Sequence, residues 1–264
     1  MSGLSDANPV GRFTGLAENY ARYRPDYPAA ALDFILSRCG PGRSSLLVDV
    51  GCGTGISSRL FAQRGIPVRG IEPNAEMCRR AQAEPFPFLW PAPTYCEGHA
   101  EATGLSDGVA DVVLAAQAFH WFKPDAALRE FHRILKPGGW VVLLWNECDP
   151  ADPCSAAYCE VVGGSKEAAA VEVPRGQAGQ PLLVSALFQD VERLLFHNEQ
   201  FLDEEGLLGR AFSASYAPRE PAAAEPYAAA LRGVFARYQQ GGKVCLRYET
   251  SVYIARKSPA DRDD

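Results

Sequence analysis

Two features seventeen residues apart could together hold a nucleoside. Gly51, Gly53 and Gly55 alternate in VDVGCGTGISS, directly after a short apolar run. Glycines at that place let the backbone turn sharply and approach a ligand with no Cβ in the way. The second feature is Glu72 in GIEPNAEM, at the end of the next apolar run. A carboxylate at the tip of the strand beside a glycine loop can accept from both hydroxyls of a ribose. The dinucleotide fingerprint requires glycine where this chain has Ile56, which disfavours a pyrophosphate on the helix N-terminus. Loop and acid together point to an adenosine across the strand ends without a diphosphate, as in S-adenosylmethionine.

Methyl transfer from a sulfonium is an in-line displacement. The protein mainly has to hold the acceptor about 3 Å from the methyl carbon, opposite the sulfur. A general base helps only where the acceptor is a hydroxyl or a protonated amine. AFHWF (118–122) follows the fourth apolar run, so His120 and Trp121 are expected at the ligand end of the sheet. His120 titrates near neutrality and can act as a base, or it can orient the loop or the cofactor. Trp121 can stack on the cofactor, face the sulfonium through its π-cloud, or anchor the core. Asn146, at the tip of the fifth run, can bond a substrate or the amino-acid end of the cofactor. SASYAP (213–218) can bring Tyr216 down onto the substrate.

These residues need a scaffold. SLLVDVG, PVRGIEP, a short run near Tyr95–Glu97, VADVVLAAQ and WVVLLWN read as strands. PAAALDFILSRCG, ISSRLFAQRG, NAEMCRRAQAE and KPDAALREFHRILKPGG read as helices, the last stopped by Pro137, Gly138 and Gly139. Strand and helix alternate, as in an α/β, doubly wound parallel sheet. After Asn146 the rhythm breaks into small-residue material that suits a helical or loop lid. VERLLFHNEQFL reads as a strand, EPYAAALRGVFARYQ as a helix and KVCLRYETSVYIARK as a last antiparallel strand.

VDVGCGTG, GIEPNAEM, AEATGLSDGVADVVLAAQAFHWF and REFHRILKPGGWVVLLWN resemble the successive motifs of class I S-adenosylmethionine-dependent methyltransferases. The resemblance is to the small-molecule branch that includes ubiquinone and trans-aconitate methyltransferases. It covers residues 13–150 closely, and the final YETSVYIARK resembles the end of that fold. It implies a Rossmann-like, seven-stranded, mostly parallel sheet with an antiparallel last strand. The chain would be one domain over 1–264, with an N-terminal cap over 1–30 and a substrate lid over 147–225. Asp49 would order the glycine loop, and backbone around Gly51, Gly53 and Gly55 would face the methionine part. Glu72 would take the ribose, with Pro73, Asn74 and Met77 walling the adenine. GHAEATGL matches the loop at the adenine edge. This chain has His99 where the family often has Asp, so backbone at Ala100 or Glu101 is an alternative contact. Gln117 would line the methionine carboxylate or the sulfonium side. Tyr20 and Arg24 would close the site, Arg24 reaching the methionine carboxylate.

The chain has 264 residues, with 26 basic against 32 acidic side chains, a net charge of −6. That balance argues against a DNA- or RNA-binding face, which needs a basic stripe. No apolar run approaches the roughly 20 residues of a membrane span, and MSGLSDANPVGRF lacks the form of a secretory signal. Eight cysteines without a C-x-x-C pair suggest reduced thiols and no metal site. The expectation is a cytoplasmic methyltransferase acting on a small organic molecule in secondary metabolism. Two rivals use the same fold: an enzyme cyclising the cofactor to azetidine-2-carboxylate and methylthioadenosine, and a binder without catalysis. Nothing in the sequence bears on oligomeric state.

Overall fold

A computed structural model describes residues 9–259 of the chain. The first eight residues of the expected cap, and the end of the tail from residue 260, lie outside the described residues. The elements run α1 (Pro9–Arg12), α2 (Ala17–Tyr23), α3 (Ala29–Cys39), β1 (Leu47–Val50), α4 (Ile56–Ala62), β2 (Val68–Glu72), α5 (Ala75–Ala83), β3 (Thr94–Glu97) and β4 (Ala110–Ala116). They continue with α6 (Pro124–Ile134), β5 (Leu135–Cys148), α7 (Pro153–Gly163), α8 (Lys166–Gly176), α9 (Gln180–Leu183), β6 (Phe188–Leu202), α10 (Glu204–Phe212), α11 (Pro221–Tyr238) and β7 (Val244–Lys257). One 3-10 turn, Phe119–Trp121, follows β4.

The seven strands form one sheet in the order β3-β2-β1-β4-β5-β7-β6. Only β7 runs against the others; it pairs antiparallel with both β5 and β6. Strand order reverses between β1 and β4, where ligands bind in open α/β sheets. Central strands alternate their side chains between two apolar cores. Val48, Val113 and Val141 pack with Phe131 of α6 on one face. Leu47, Val112 and Val142 pack with Leu32 of α3 and Phe61 of α4 on the other. Both faces are covered, so the strands are apolar throughout rather than alternating with polar residues.

Helix starts follow local chemistry. Asn74 caps α5 by accepting from Glu76 N and Met77 N, Asp152 caps α7, Ser165 caps α8 and Asp203 caps α10. One boundary differs from expectation. Helix α6 ends at Ile134 rather than at Pro137-Gly138-Gly139, and the chain is already in β5 at Leu135. Leu135 is fully buried and pairs with Ala110 before the register shifts, so Pro137, Gly138 and Gly139 mark an irregular strand entry, not a helix stop.

The segment after Asn146 is helical, as its composition suggested. Leu207, Ala211, Leu231, Val234 and Tyr158 join α7, α10 and α11 in a third core against the start of β7. Cysteine pairing departs from expectation: Cys148 and Cys159 form a disulfide between the end of β5 and α7. The sharp β5-to-α7 turn brings residues eleven apart face to face, which the spacing alone did not reveal. The other six cysteines are free thiols. Alkylation of the unfolded, unreduced chain should therefore label six of its eight cysteines by mass spectrometry, and labelling of all eight would refute the bridge. Among the described residues no helix is long and apolar enough to cross a membrane.

Candidate active site

A cleft opens over the C-terminal ends of β1, β2 and β4. Gly51, Cys52, Gly53 and Ile56 form its floor, Glu72, Pro73 and Met77 one wall, and His99, Ala100 and Glu101 the far edge. Ala116, Gln117, Ala118, Trp121 and Phe122 form the wall after β4. The N-terminal segment lies across the top, with Phe13, Tyr20, Arg24, Pro25 and Tyr27 facing inward, and Arg210 joins from α10. That segment is tied at both ends. Gly15 N donates to Glu76 on one side, and on the other Arg24 Nη2 donates to Ser213 O at 3.0 Å and Gln200 Nε2 to Tyr23 O at 2.9 Å.

Glu72 is buried and accepts from Gly53 N at 2.8 Å and Asn74 N at 2.9 Å, one donor on each oxygen. Each oxygen retains a free lone pair. Burial pushes its carboxyl up to about 7, against the two backbone donors that favour the charge. Asp49, wholly buried, accepts from Ser57 Oγ and Ser58 Oγ at 2.6 Å each. Burial raises it to about 6 despite those hydroxyls. It thereby joins the end of β1 to the first turn of α4. Gln117 holds a left-handed backbone, φ 55°, unusual for a non-glycine residue and found where structure over-determines a turn. Its Nε2 donates to Asn146 O at 3.2 Å.

A second, smaller chamber adjoins the cleft. The two share Phe13, Tyr20, Arg24, Gln117 and Trp121, and His120, Val171, Glu172, Arg175, Ser215 and Tyr216 complete the smaller one. Trp145 Nε1 lies 3.3 Å from His120 Nδ1. An indole N–H can only donate, so Nδ1 accepts and the ring proton sits on Nε2. Burial, with Arg175 and Arg24 nearby, holds this imidazole well below its usual range. His120 is therefore a neutral donor, which removes the basis for the base expected from its type.

A methyltransferase domain model matches residues 48–143. An uncharacterized methyltransferase of Mycobacterium tuberculosis is 31% identical over 207 residues, covering 77% of this chain and 76% of that protein. The chain belongs to the class I S-adenosylmethionine-dependent methyltransferases. An uncharacterized methyltransferase-like protein of Schizosaccharomyces pombe is 28% identical over 92% of this chain and 94% of its own length. The fold matches a solved protein of Anaeromyxobacter dehalogenans assigned as a type II methyltransferase, with a TM-score of 0.62 and 24% identity. The match covers 89% of this chain and 97% of that one.

S-adenosylmethionine is the methyltransferase's cofactor, and the residues present fit it. Glu72 offers two free lone pairs to a diol, and Gly51 and Gly53 line the floor with no side chain in the way. Arg24 lines the cleft, and its Nε is buried with no hydrogen-bond partner among the described residues.

The structure brings most of the methyltransferase's expected site residues together and sets four aside. Asp49 lies beneath the floor, accepting from Ser57 and Ser58 rather than facing the cleft. Gly55 does not line the cleft: it caps α4, and a Cβ there would meet the Tyr95 ring. Asn74 caps α5 with its side chain instead of walling the cleft. Asn146 is 3% exposed and its side chain bonds within the fold. Its Nδ2 donates to Asp26 O, and its Oδ1 accepts from Thr250 Oγ1 and Asn198 Nδ2. Its backbone oxygen, not its amide, serves the site by accepting from Gln117 and Arg175. Phe13, Phe122, Glu172, Arg175 and Arg210 were missed. Glu172, Arg175 and Arg210 sit in the lid, where no local motif announces an inward-facing charge.

Proposed function

We propose that this methyltransferase modifies a small organic molecule of the kind made in secondary metabolism. The smaller chamber carries the reading. It shares five wall residues with the cofactor cleft, and α8 together with the turn at Ser215 and Tyr216 roofs it. A narrow chamber roofed in this way suits a small molecule and not the body of a polymer.

In this reading Glu72 takes the ribose hydroxyls, Pro73 and Met77 wall the adenine, and His99, Ala100 and Glu101 close its edge. Backbone at Gly51 and Gly53 faces the methionine part, with Arg24 toward its carboxylate. Asp49 and Asn74 order the loop and α5 from behind. Bound S-adenosylmethionine supplies a methyl group activated by the sulfonium. Tyr20, Trp121 and Gln117 form the wall where acceptor and cofactor meet, and the aromatic rings exclude water. Trp145 fixes the His120 ring so that Nε2 donates into the chamber and holds the acceptor. Tyr216, donating to Glu172 at 2.8 Å, closes the roof. The lid over 147–225 and the cap through residue 30 are the parts that enclose the acceptor.

The test incubates the purified chain with S-adenosylmethionine, alone and with a protein-free metabolite extract, and reads products by mass spectrometry. S-adenosylhomocysteine and a methylated small molecule should appear together, and only with extract. Methylthioadenosine from the cofactor alone, or no turnover with extract, would overturn the proposal.

A further inference from the structure

The sheet ends on two unlike edges. At one end β3 is four residues long, and a strand that short offers little to pair with. At the other end β6 runs fifteen residues, and among the described residues its only strand partner is β7. Its irregularity is confined to the start, between Gln189 and Glu192, where Asp190 takes a left-handed backbone. From Glu192 to Leu202 the pairing with β7 is unbroken, and the strand holds no proline. Its outer side is therefore a regular row of N–H and C=O groups, which pairs with another strand unless something blunts it. The two faces of β6 also differ. One is occupied: Phe196 packs on Phe34 of α3 with ring centroids 5.6 Å apart, Glu192 bridges to Arg38, and Asn198 and Gln200 hold the N-terminal segment through Asp26 O and Tyr23 O. The other is open: Arg193, Leu195, His197, Glu199 and Phe201 are all exposed, Leu195 by 52% and Phe201 by 63%. Large apolar side chains are what an edge that stays single avoids.

A second copy of the chain fits this edge. Antiparallel pairing of β6 with itself sets a two-fold axis perpendicular to the sheet, which keeps each face on its own side. With Asn198 on the axis, Leu195 of one copy opposes Phe201 of the other, His197 opposes Glu199, and Arg193 opposes Asp203. On the occupied face Leu194 opposes Leu202. Apolar meets apolar, a guanidinium meets a carboxylate and an imidazole meets a carboxylate, and the symmetry repeats every pair. Asp203 spends one oxygen on capping α10 and keeps the other. Neighbouring registers lack this match. Phe196 on the axis sets Leu195 against His197, and Gln200 on the axis sets Glu199 against Phe201.

We propose that the protein is a homodimer joined edge to edge through β6, with Asn198 at the two-fold axis. The two sheets then continue as one across the joint. The cleft over β1, β2 and β4 lies away from it, since β5 and β7 stand between β4 and β6. The dimer depends on neither the acceptor nor the chemistry of the site.

Sedimentation equilibrium of the whole chain at micromolar concentration should give twice the mass of one chain. Leu195→Lys combined with Phe201→Lys sets like charges opposite each other and should give a monomer. That monomer should keep the parent's circular dichroism and its affinity for S-adenosylmethionine, which separates dissociation from misfolding. Leu195→Cys combined with Phe201→Cys reads the register. Within one chain the two positions lie about 20 Å apart along the strand, so a bridge between them forms only across the axis. Peptide mapping after mild oxidation should find position 195 of one chain joined to position 201 of the other. A monomeric parent, its edge left to water or taken by a different protein, would overturn the proposal. So would a dimer that the lysines leave intact, or bridges formed only at other positions.

Discussion

Replacing Glu72 by alanine is expected to weaken S-adenosylmethionine binding by about 10- to 100-fold, the worth of charge-assisted hydrogen bonds from a diol. Two effects add. The carboxylate that would take the ribose is gone, and the N–H groups of Gly53 and Asn74 lose their acceptor, which loosens the loop and the start of α5. Stability should move less. A carboxyl displaced from 4.5 to about 7 carries roughly 3 kcal/mol against its ionised form. Removing that burden offsets the two unpaired donors in part.

The same displacement sets a pH signature. Between 4.5 and about 7 the folded chain holds a proton that the unfolded chain has released. The stabilisation is therefore complete below 4.5 and is lost as pH rises through about 7. Asp49, raised to about 6, acts in the same direction. The cofactor-free protein should melt lower at pH 8 than at pH 5.5. Cofactor affinity should run the other way, because ribose hydroxyls donate to the ionised carboxylate. A gain of about tenfold from pH 6 to pH 8 is expected in calorimetry, and Glu72→Gln should flatten it. Unchanged affinity in Glu72→Ala would remove the ribose assignment.

Gly51→Ala and Gly53→Ala should differ sharply although both sites are left-handed, at φ 69° and 56°. At Gly51 a Cβ would lie 2.7 Å from Ala118 Cβ and 2.9 Å from the Phe122 ring, so the loop or the β4 end must move. Backbone strain of about 1–2 kcal/mol and overpacking of about 1–3 kcal/mol then combine. For a domain of this size that lowers the melting temperature by about 5–15 °C. At Gly53 the nearest atoms, Met77 Sδ at 3.9 Å and the Tyr20 ring at 4.0 Å, leave ordinary space. Only the backbone strain remains, so Gly53→Ala should fold within about 1–2 kcal/mol of the parent. Its methyl group projects between Met77 and Tyr20, so cofactor affinity should fall more than stability does. Equal melting losses in the two variants would show that the close approach of Ala118 does not decide the effect.

The floor and one wall of the larger cleft were legible because their determinants are local. A glycine loop must follow a strand and precede a helix, and an acid must end the next strand, so residues 51–77 carry the pattern in one continuous stretch. Parallel strands buried on both faces are unbroken apolar runs, and the alternating order gave the sheet its topology. Misreadings arose where one residue type serves two purposes. Gly55 and Asn74 have the composition of ligand contacts but are used as helix caps. His120 reads as a base or as an orienting group, and the indole of a neighbouring strand, by taking its lone pair, favours the second.

The sequence by itself determined the fold class, the cofactor and the floor of the cleft, because periodicity and short motifs encode contacts between near neighbours. Only the tertiary structure decided what lines the space beside the cleft. Arg24, Arg175 and Arg210 lie far apart in the chain, on the N-terminal segment, α8 and α10, and reach the cleft or the chamber beside it when those elements fold over the sheet. Cys148 and Cys159 likewise pair because a turn between β5 and α7 sets them face to face. Long-range packing fixes such contacts, and packing depends on the shape of every intervening element, which no local spacing records.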